Sequence, residues 1–248
     1  MTMGKKPLSY QARTYRNKKL KNNLKFFNVT ICETDLFISA DKNLQDLAYR
    51  SVLQHRSYLE NYINIHPAFL SSLVSLEYDP FAPPMIREML TASSKAAVGP
   101  MAAVAGAIAE RVGKDLRRYS QNVIIENGGD IFLETQEDLH VGIFAGQSIF
   151  NEKIAVVVKK EEMPLGICTS SGTIGHSLSF GKADAVCVKA KSAALADAAA
   201  TAIGNSVKRE TDISQALEKG MTIEGVLGVA IIMNDRLGAI GKIELLQK

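Results

Sequence analysis

The segment NVIIENGGDIFLE, from Asn122 to Glu134, contains the clearest hairpin pattern in the sequence. Two short apolar runs flank Asn127-Gly128-Gly129-Asp130, and residues of these types are preferred in tight turns between antiparallel strands. The pattern therefore predicts a hairpin with strands over 122–126 and 131–133. The two glycines also allow positive φ and let a ligand approach the backbone amides, so the turn has a second, functional interpretation as a binding loop.

Strands and helices are predicted on both sides of this hairpin. Strand patterns occur twice within 28–38 and again at 140–144, 154–159, 183–189, 226–233 and 239–246. Helical patterns occur at 44–63, 68–76, 85–91, 101–116, 193–205 and 213–219. The helix at 101–116 carries Ala and Gly on nearly every face, which implies a closely packed neighbour. Hairpins mixed with helices, without a fixed repeat, predict a single α+β domain over 1–248 with antiparallel or mixed sheets and packed helices.

The composition is that of a globular protein, with 46% hydrophobic and 22% charged residues. The net charge of +3 is unevenly distributed, because basic residues crowd the first 25 positions. This segment is either a basic arm that binds nucleic acid or acidic lipid, or a solvated terminus or exposed edge hairpin. Aromatic residues at strand spacing, which an RNA platform needs, do not accompany it, so we expect no nucleic-acid partner.

Cysteine usage and hydropathy indicate the compartment. Cys32, Cys168 and Cys187 have no metal-ligand spacing, and an odd number is a poor disulfide framework. No apolar run has the length of a membrane span or the form of an export signal. We therefore expect a cytoplasmic protein without membrane contact.

Hydroxyl side chains cluster in Thr169-Ser170-Ser171-Gly172-Thr173. Hydroxyls and exposed backbone N–H groups can bind phosphate oxygens, and a plain polar loop is the alternative. His176 follows closely and supplies a titratable group.

Asp197 and Thr201 lie four residues apart on the predicted helix 193–205, so their side chains share a face. Carboxylate and hydroxyl oxygens suit Mg²⁺, a hard cation. The alternative is an Asp near the first turn of the helix, where the helix dipole favours it.

The order of these motifs over residues 98–205 resembles the ApbE flavin-transferase superfamily, whose members bind FAD and in many cases transfer FMN to a threonine of a target protein. The resemblance implies an ApbE (T-fold-like) architecture and Mg²⁺ on Asp197 and Thr201. It places FAD or FMN beside a set of residues from the hairpin, the hydroxyl loop and the Ala-rich helix: Gly106, Asn127, Gly128, Gly129, Asp130, Ser170, Ser171, Gly172 and Thr173.

The sequence also departs from the family pattern. Ala105-Gly106 replaces the usual Lys-Gly pair, and the His…Asp-Pro stretch expected before the helix is missing, which indicates a compact branch. His176 is then the best available general acid or base, since an unperturbed histidine titrates near neutral pH. Three functions stay open: Mg²⁺-dependent FMN transfer to an acceptor protein, cleavage of the FAD pyrophosphate, and a non-catalytic accessory role in cofactor or sulfur metabolism. Homo-oligomerisation is also left open.

Overall fold

The computed structural model describes residues 24–170 and 181–248. The strands are β1 (Lys25–Ile31), β2 (Thr34–Ala40), β3 (Val123–Asn127), β4 (Asp130–Glu134), β5 (Leu139–Gly142), β6 (Ile154–Val158), β7 (Leu165–Ser170), β8 (Ala185–Ala190), β9 (Val226–Met233), β10 (Arg236–Gly241) and β11 (Glu244–Gln247). The helices are α1 (Gln45–Ile65), α2 (Ala68–Ser71), α3 (Pro84–Ala96), α4 (Val104–Leu116), α5 (Ala193–Ser206) and α6 (Ile213–Met221). The predicted basic arm over 1–25 lies outside the described residues apart from its last two positions. The predicted site residues Ser171, Gly172, Thr173 and His176 lie outside them entirely.

Two antiparallel sheets form the framework of the part of the chain that the structure describes. The larger has eight strands in the order β1-β2-β3-β4-β7-β8-β9-β10, and the smaller has the order β11-β6-β5. The predicted central hairpin is β3–β4, in which Asn127 pairs with Asp130 and Gly128 has φ 72°. Sheets of this kind with packed helices confirm the predicted α+β class.

The eight-stranded sheet separates two hydrophobic cores. Strand β8 shows why, because its side chains alternate between the two faces. Val186 and Val188 face the helices, whereas Ala185 and Cys187 face the three-stranded sheet. The molecule is thus layered as helices, large sheet and small sheet.

Helix α5 lies at the centre of the helical layer and packs on β7, β8, α3 and α4. Its N-cap is Ser192, whose side chain accepts a hydrogen bond from the Leu195 amide at 3.1 Å. Glycines of the neighbours allow the close approach: a Cβ at Gly106 would lie 2.2 Å from the Ala193 carbonyl oxygen, and one at Gly166 would lie 2.2 Å from the Ala193 Cα. The close neighbour predicted for the Ala- and Gly-rich helix is therefore α5, together with β3 and β4.

Three predicted elements are wrong in extent. The helix predicted over 85–91 continues to Ala96. The helix predicted over 68–76 ends at Ser71, and the Ser72 side chain instead bonds to the backbone of Val74, a local alternative to helical hydrogen bonding. The last strand, predicted over 239–246, is two strands. Gly241, at φ 84°, ends β10, and β11 pairs with β6 in the other sheet.

Within 24–170 and 181–248, no helix has both the length and the apolar character needed to cross a bilayer.

Candidate functional site

Three chemically reactive side chains meet under α5: Asp130, Cys168 and Asp197. One oxygen from each carboxylate and the sulfur lie within 4.8 Å of one another. We call these three residues the carboxylate–thiol cluster. It joins two of the sequence-predicted site residues and one residue that was not predicted.

Sheet register and helix packing bring the cluster together. Asp130 is the first residue of β4, and Cys168 lies directly opposite it on β7. Asp130 shares a sheet face with Phe132, two residues on, and this is the face covered by helices. Asp197 comes from the second turn of α5, which packs across β7 and β4.

Asp130 is a buried carboxylate with one oxygen that lacks a hydrogen-bond partner among the described residues. Only 9% of the residue is exposed. Its Oδ1 atom is buried and finds no hydrogen-bond partner among the described residues. Burial raises the pKa of Asp130 to about 7, although hydrogen bonding with Cys168 and Asp197 acts in the opposite direction.

Asp197 is held by the backbone of α4. Its Oδ2 atom accepts a hydrogen bond from the Gly106 N–H at 3.0 Å. Burial and the neighbouring Asp130 nevertheless raise the pKa of Asp197 well above its usual value. Burial, followed by the two carboxylates, likewise raises the pKa of the Cys168 thiol. All three groups become negatively charged when they ionise, and none of them is a cation that could balance that charge.

The predicted glycine turn borders this cluster. The Thr169 N–H donates to the Gly129 carbonyl at 2.9 Å, and a Cβ at Gly129 would lie 2.3 Å from the Thr169 carbonyl oxygen. Asn127 Nδ2 donates to the Ala105 carbonyl at 3.1 Å, which ties the hairpin to α4. The glycines thus serve a close backbone approach between the hairpin and the start of the hydroxyl run.

Other predicted residues lie nearby on the same elements. Thr201 is one turn beyond Asp197 on α5 and is half-buried, and Ser170 is the half-buried last residue of β7. Gly106 reaches the cluster through its backbone N–H, as described above. The ligand roles predicted for these residues stay predictions.

Glu110 has a structural role that the sequence analysis missed. Its Oε2 atom accepts hydrogen bonds from the Ala193 N–H at 2.7 Å and the Ala194 N–H at 3.4 Å, at the N-terminus of α5. Its Oε1 atom pairs with Lys114 at 2.7 Å. A carboxylate of the protein itself therefore already satisfies the positive end of this helix dipole.

A cavity of about 310 Å³ opens beside this helix start, between α3 and α4, with Arg87, Arg111 and Ser192 in its wall. None of the predicted site residues that the structure describes lines it. The cluster and this cleft are thus separate features, and we place the candidate site at the cluster because it holds the buried carboxylate oxygen without a hydrogen-bond partner among the described residues.

The cluster fits a divalent cation. A buried carboxylate oxygen without a donor, next to a second carboxylate, is the environment in which a bound cation relieves the desolvation of the charges. Carboxylate oxygens are the ligands that Mg²⁺ prefers. Asp130 and Asp197 would hold the ion, and Thr201 is the predicted third ligand.

Comparison with known proteins shows which family and fold the chain shares. The family model described as "AbpE bacteria" matches residues 17–245. The UPF0280 protein of Methanocaldococcus jannaschii is 43% identical over 226 residues, covering 89% of this chain and 92% of its own length. The UPF0280 protein of Methanococcus aeolicus is 41% identical over 226 residues, covering 89% of this chain and 91% of its own length.

Solved structures share the fold at low identity. The apo form of the flavinyl transferase ApbE from Pseudomonas stutzeri has a TM-score of 0.55 at 12% identity, covering 88% of this chain and 94% of its own. The ApbE protein of Thermotoga maritima has a TM-score of 0.56 at 11% identity, covering 87% and 96%. The family model spans nearly the whole chain, so the resemblance drawn from the motifs is confirmed and the chain belongs to the ApbE-like superfamily.

Proposed function

We propose that the protein binds a flavin nucleotide together with Mg²⁺ and cleaves the pyrophosphate of FAD, passing FMN to a hydroxyl group of an acceptor protein or, without an acceptor, to water. The observation that carries the proposal is the buried pair Asp130–Asp197, in which Asp130 Oδ1 lacks a partner among the described residues. The relationship to proteins named flavinyl transferases supplies the nucleotide.

The chain's own residues have defined tasks in this proposal. Asp197 and Thr201 hold the cation, and the Gly106 N–H fixes the orientation of the Asp197 carboxylate. Asp130 adds the second negative charge from the sheet side. The close contact between Gly129 and Thr169 holds the Asn127–Asp130 turn beside the hydroxyl run, where the nucleotide would bind. A bound Mg²⁺ would neutralise the charge that develops on the pyrophosphate oxygens.

The reaction balances without further reactants. The hydroxyl oxygen of the acceptor, or of water, forms a bond to the phosphorus of the FMN half, and the bond from that phosphorus to the bridging oxygen breaks. AMP leaves with the bridging oxygen. The hydroxyl proton passes to a base, for which His176, outside the described residues, is the predicted group.

The test is incubation of the protein with FAD in the presence of Mg²⁺ or of a chelator, with AMP measured as product. We expect AMP release that requires Mg²⁺ and that falls at least about 100-fold in Asp197→Asn, because the metal loses a charged ligand. Asp138→Asn, a carboxylate change directly before β5 of the three-stranded sheet, is the matched control and should keep the activity. FAD binding that depends on Mg²⁺ without AMP release would instead support the accessory role. Absence of both would refute the proposal.

A further inference from the structure

The cluster contains a sulfur atom that a magnesium site does not need. Cys168 lies across the β4–β7 ladder from Asp130, and its sulfur is among the three ligand atoms within 4.8 Å. A buried free cysteine ordinarily acts as a small hydrophobic residue. Here, however, its neighbours are two carboxylates rather than apolar groups alone.

The unpartnered Asp130 oxygen independently indicates a ligand at this position. Asp130 is more than nine-tenths buried and Oδ1 finds no donor in the described part of the chain. The three groups come from β4, β7 and α5, which are held together by sheet pairing and helix packing, so the arrangement is rigid rather than a chance contact between surface side chains. Asp197 is the most exposed of the three, which leaves one side of the cluster open to an exogenous ligand.

We infer that Asp130, Cys168 and Asp197 bind a divalent transition metal of intermediate softness, of which Zn²⁺ is the representative, and that this ion excludes Mg²⁺ from Asp197. Thiolate sulfur and carboxylate oxygen are both zinc ligands, and three protein ligands with an open fourth position match the ligand number of the open zinc sites. Mg²⁺ is a hard cation that takes oxygen ligands and gains nothing from the sulfur. The thiol proton passes to solvent when the sulfur binds the ion.

This site deepens the proposed function by giving it an inhibitor, and only the competition with Mg²⁺ rests on that function. Occupation of Asp197 by a thiolate-bound ion removes the ligand on which the proposed Mg²⁺-dependent reaction depends. Binding of the transition metal itself is independent of flavin and of any activity.

The experiment uses Co²⁺ as a coloured substitute for Zn²⁺, since Zn²⁺ has a filled d shell and gives no d–d absorption. The exposed Cys32 is first replaced in a Cys32→Ser parent so that it contributes no thiolate. We expect a cobalt–thiolate charge-transfer band in the near ultraviolet that saturates at one Co²⁺ per chain, that Zn²⁺ removes and that excess Mg²⁺ does not. A parent protein without this band at saturating Co²⁺ overturns the inference before any further variant is made.

Two variants and a control identify the ligands. Cys168→Ser in the same parent should lose the band, and Asp130→Asn should keep the thiolate but bind Co²⁺ at least about tenfold more weakly. Cys187→Ala is the matched control, because this buried cysteine lies on the next strand and on the opposite sheet face. It should leave the band unchanged. A band that survives Cys168→Ser, or an affinity unchanged in Asp130→Asn, contradicts the three-ligand site. If FAD does not bind but the band follows these expectations, the proposed function fails and this inference stands.

Discussion

The two faces of the eight-stranded sheet differ in whether their buried charged groups have partners. On the face covered by the three-stranded sheet, the side chain of Lys189 is only 2% exposed. Its Nζ atom donates hydrogen bonds to both carboxylate oxygens of Glu162, at 2.7 and 2.8 Å. Under the helices, Asp130 is comparably buried but one of its oxygens has no donor among the described residues. The first arrangement is complete without a ligand and the second is not. A buried charged group is therefore not by itself a sign of a ligand-binding site, whereas a buried charged group without a partner is.

Removing one partner of the Lys189–Glu162 ion pair should have the greatest effect on stability. Glu162→Ala should lower the free energy of unfolding by about 3 kcal/mol, because it leaves the Lys189 ammonium buried without its partner. It also removes the acceptor of the Lys159 N–H. Lys189→Met should cost less, about 1 kcal/mol, since the remaining Glu162 is 29% exposed and can reach water.

Urea unfolding monitored by circular dichroism measures both values. The asymmetry between the two variants is the critical result. Equal losses would mean that Lys189 contributes through packing rather than through its charge.

The second expected effect has the opposite sign and belongs to the helix-covered face. Asp130→Asn should raise the free energy of unfolding of the metal-free protein by about 1 kcal/mol, because it removes a carboxylate whose ionisation is opposed by burial and supplies an N–H donor for Asp197. A site residue that destabilises the empty protein is typical of a functional position.

Asp115→Asn is the matched control for this change. Asp115 is a carboxylate on α4 whose Oδ2 atom has two partners: it lies 2.9 Å from His55 Nε2 and accepts a hydrogen bond from Ser51 at 2.7 Å. The control should destabilise the protein, by less than about 1 kcal/mol because Asp115 is partly exposed. Both variants are compared by urea unfolding in the presence of a chelator. Destabilisation by Asp130→Asn would mean that Asp130 is already compensated in the folded protein.

Much of the architecture followed from local signals. The β3–β4 hairpin was predicted from two apolar runs around Asn-Gly-Gly-Asp, and α5 from the helical pattern over 193–205, because turns and helical patterns depend on residues close in sequence. That Asp130 and Asp197 lie close together was expected only because the order of the motifs resembles that of the ApbE superfamily. The residue roles still rest on that order.

The partners of these residues could not be predicted, for a physical reason. Cys168 enters the cluster through the register of β4 with β7, and between these strands the chain forms β5 and β6 of a separate sheet. The role of Glu110 depends on where α4 crosses α5, and that crossing is set by the absence of a side chain at Gly106. Register and crossing angle are properties of packed elements, so no short stretch of sequence specifies them.

The last prediction concerns how the free energy of unfolding depends on pH through Glu162, and its effect should be the weakest of those described. Burial opposes ionisation of Glu162, but hydrogen bonds from Lys189 and the Lys159 backbone outweigh it and lower the pKa of this carboxyl below its ordinary value of 4.5. In the folded protein, a group with a lowered pKa binds fewer protons than it does in the unfolded chain. Its contribution to stability is therefore complete above the ordinary pKa and is lost as the pH falls through the folded-state pKa.

Lys189→Met removes the main cause of the lowered pKa of Glu162. The loss of unfolding free energy between about pH 6 and about pH 3, measured by urea titration, should therefore be smaller in Lys189→Met than in the unmodified protein. All other carboxylates titrate equally in both proteins, so the difference reports this pair. An identical loss would show that the Lys159 backbone alone holds Glu162 in its charged form.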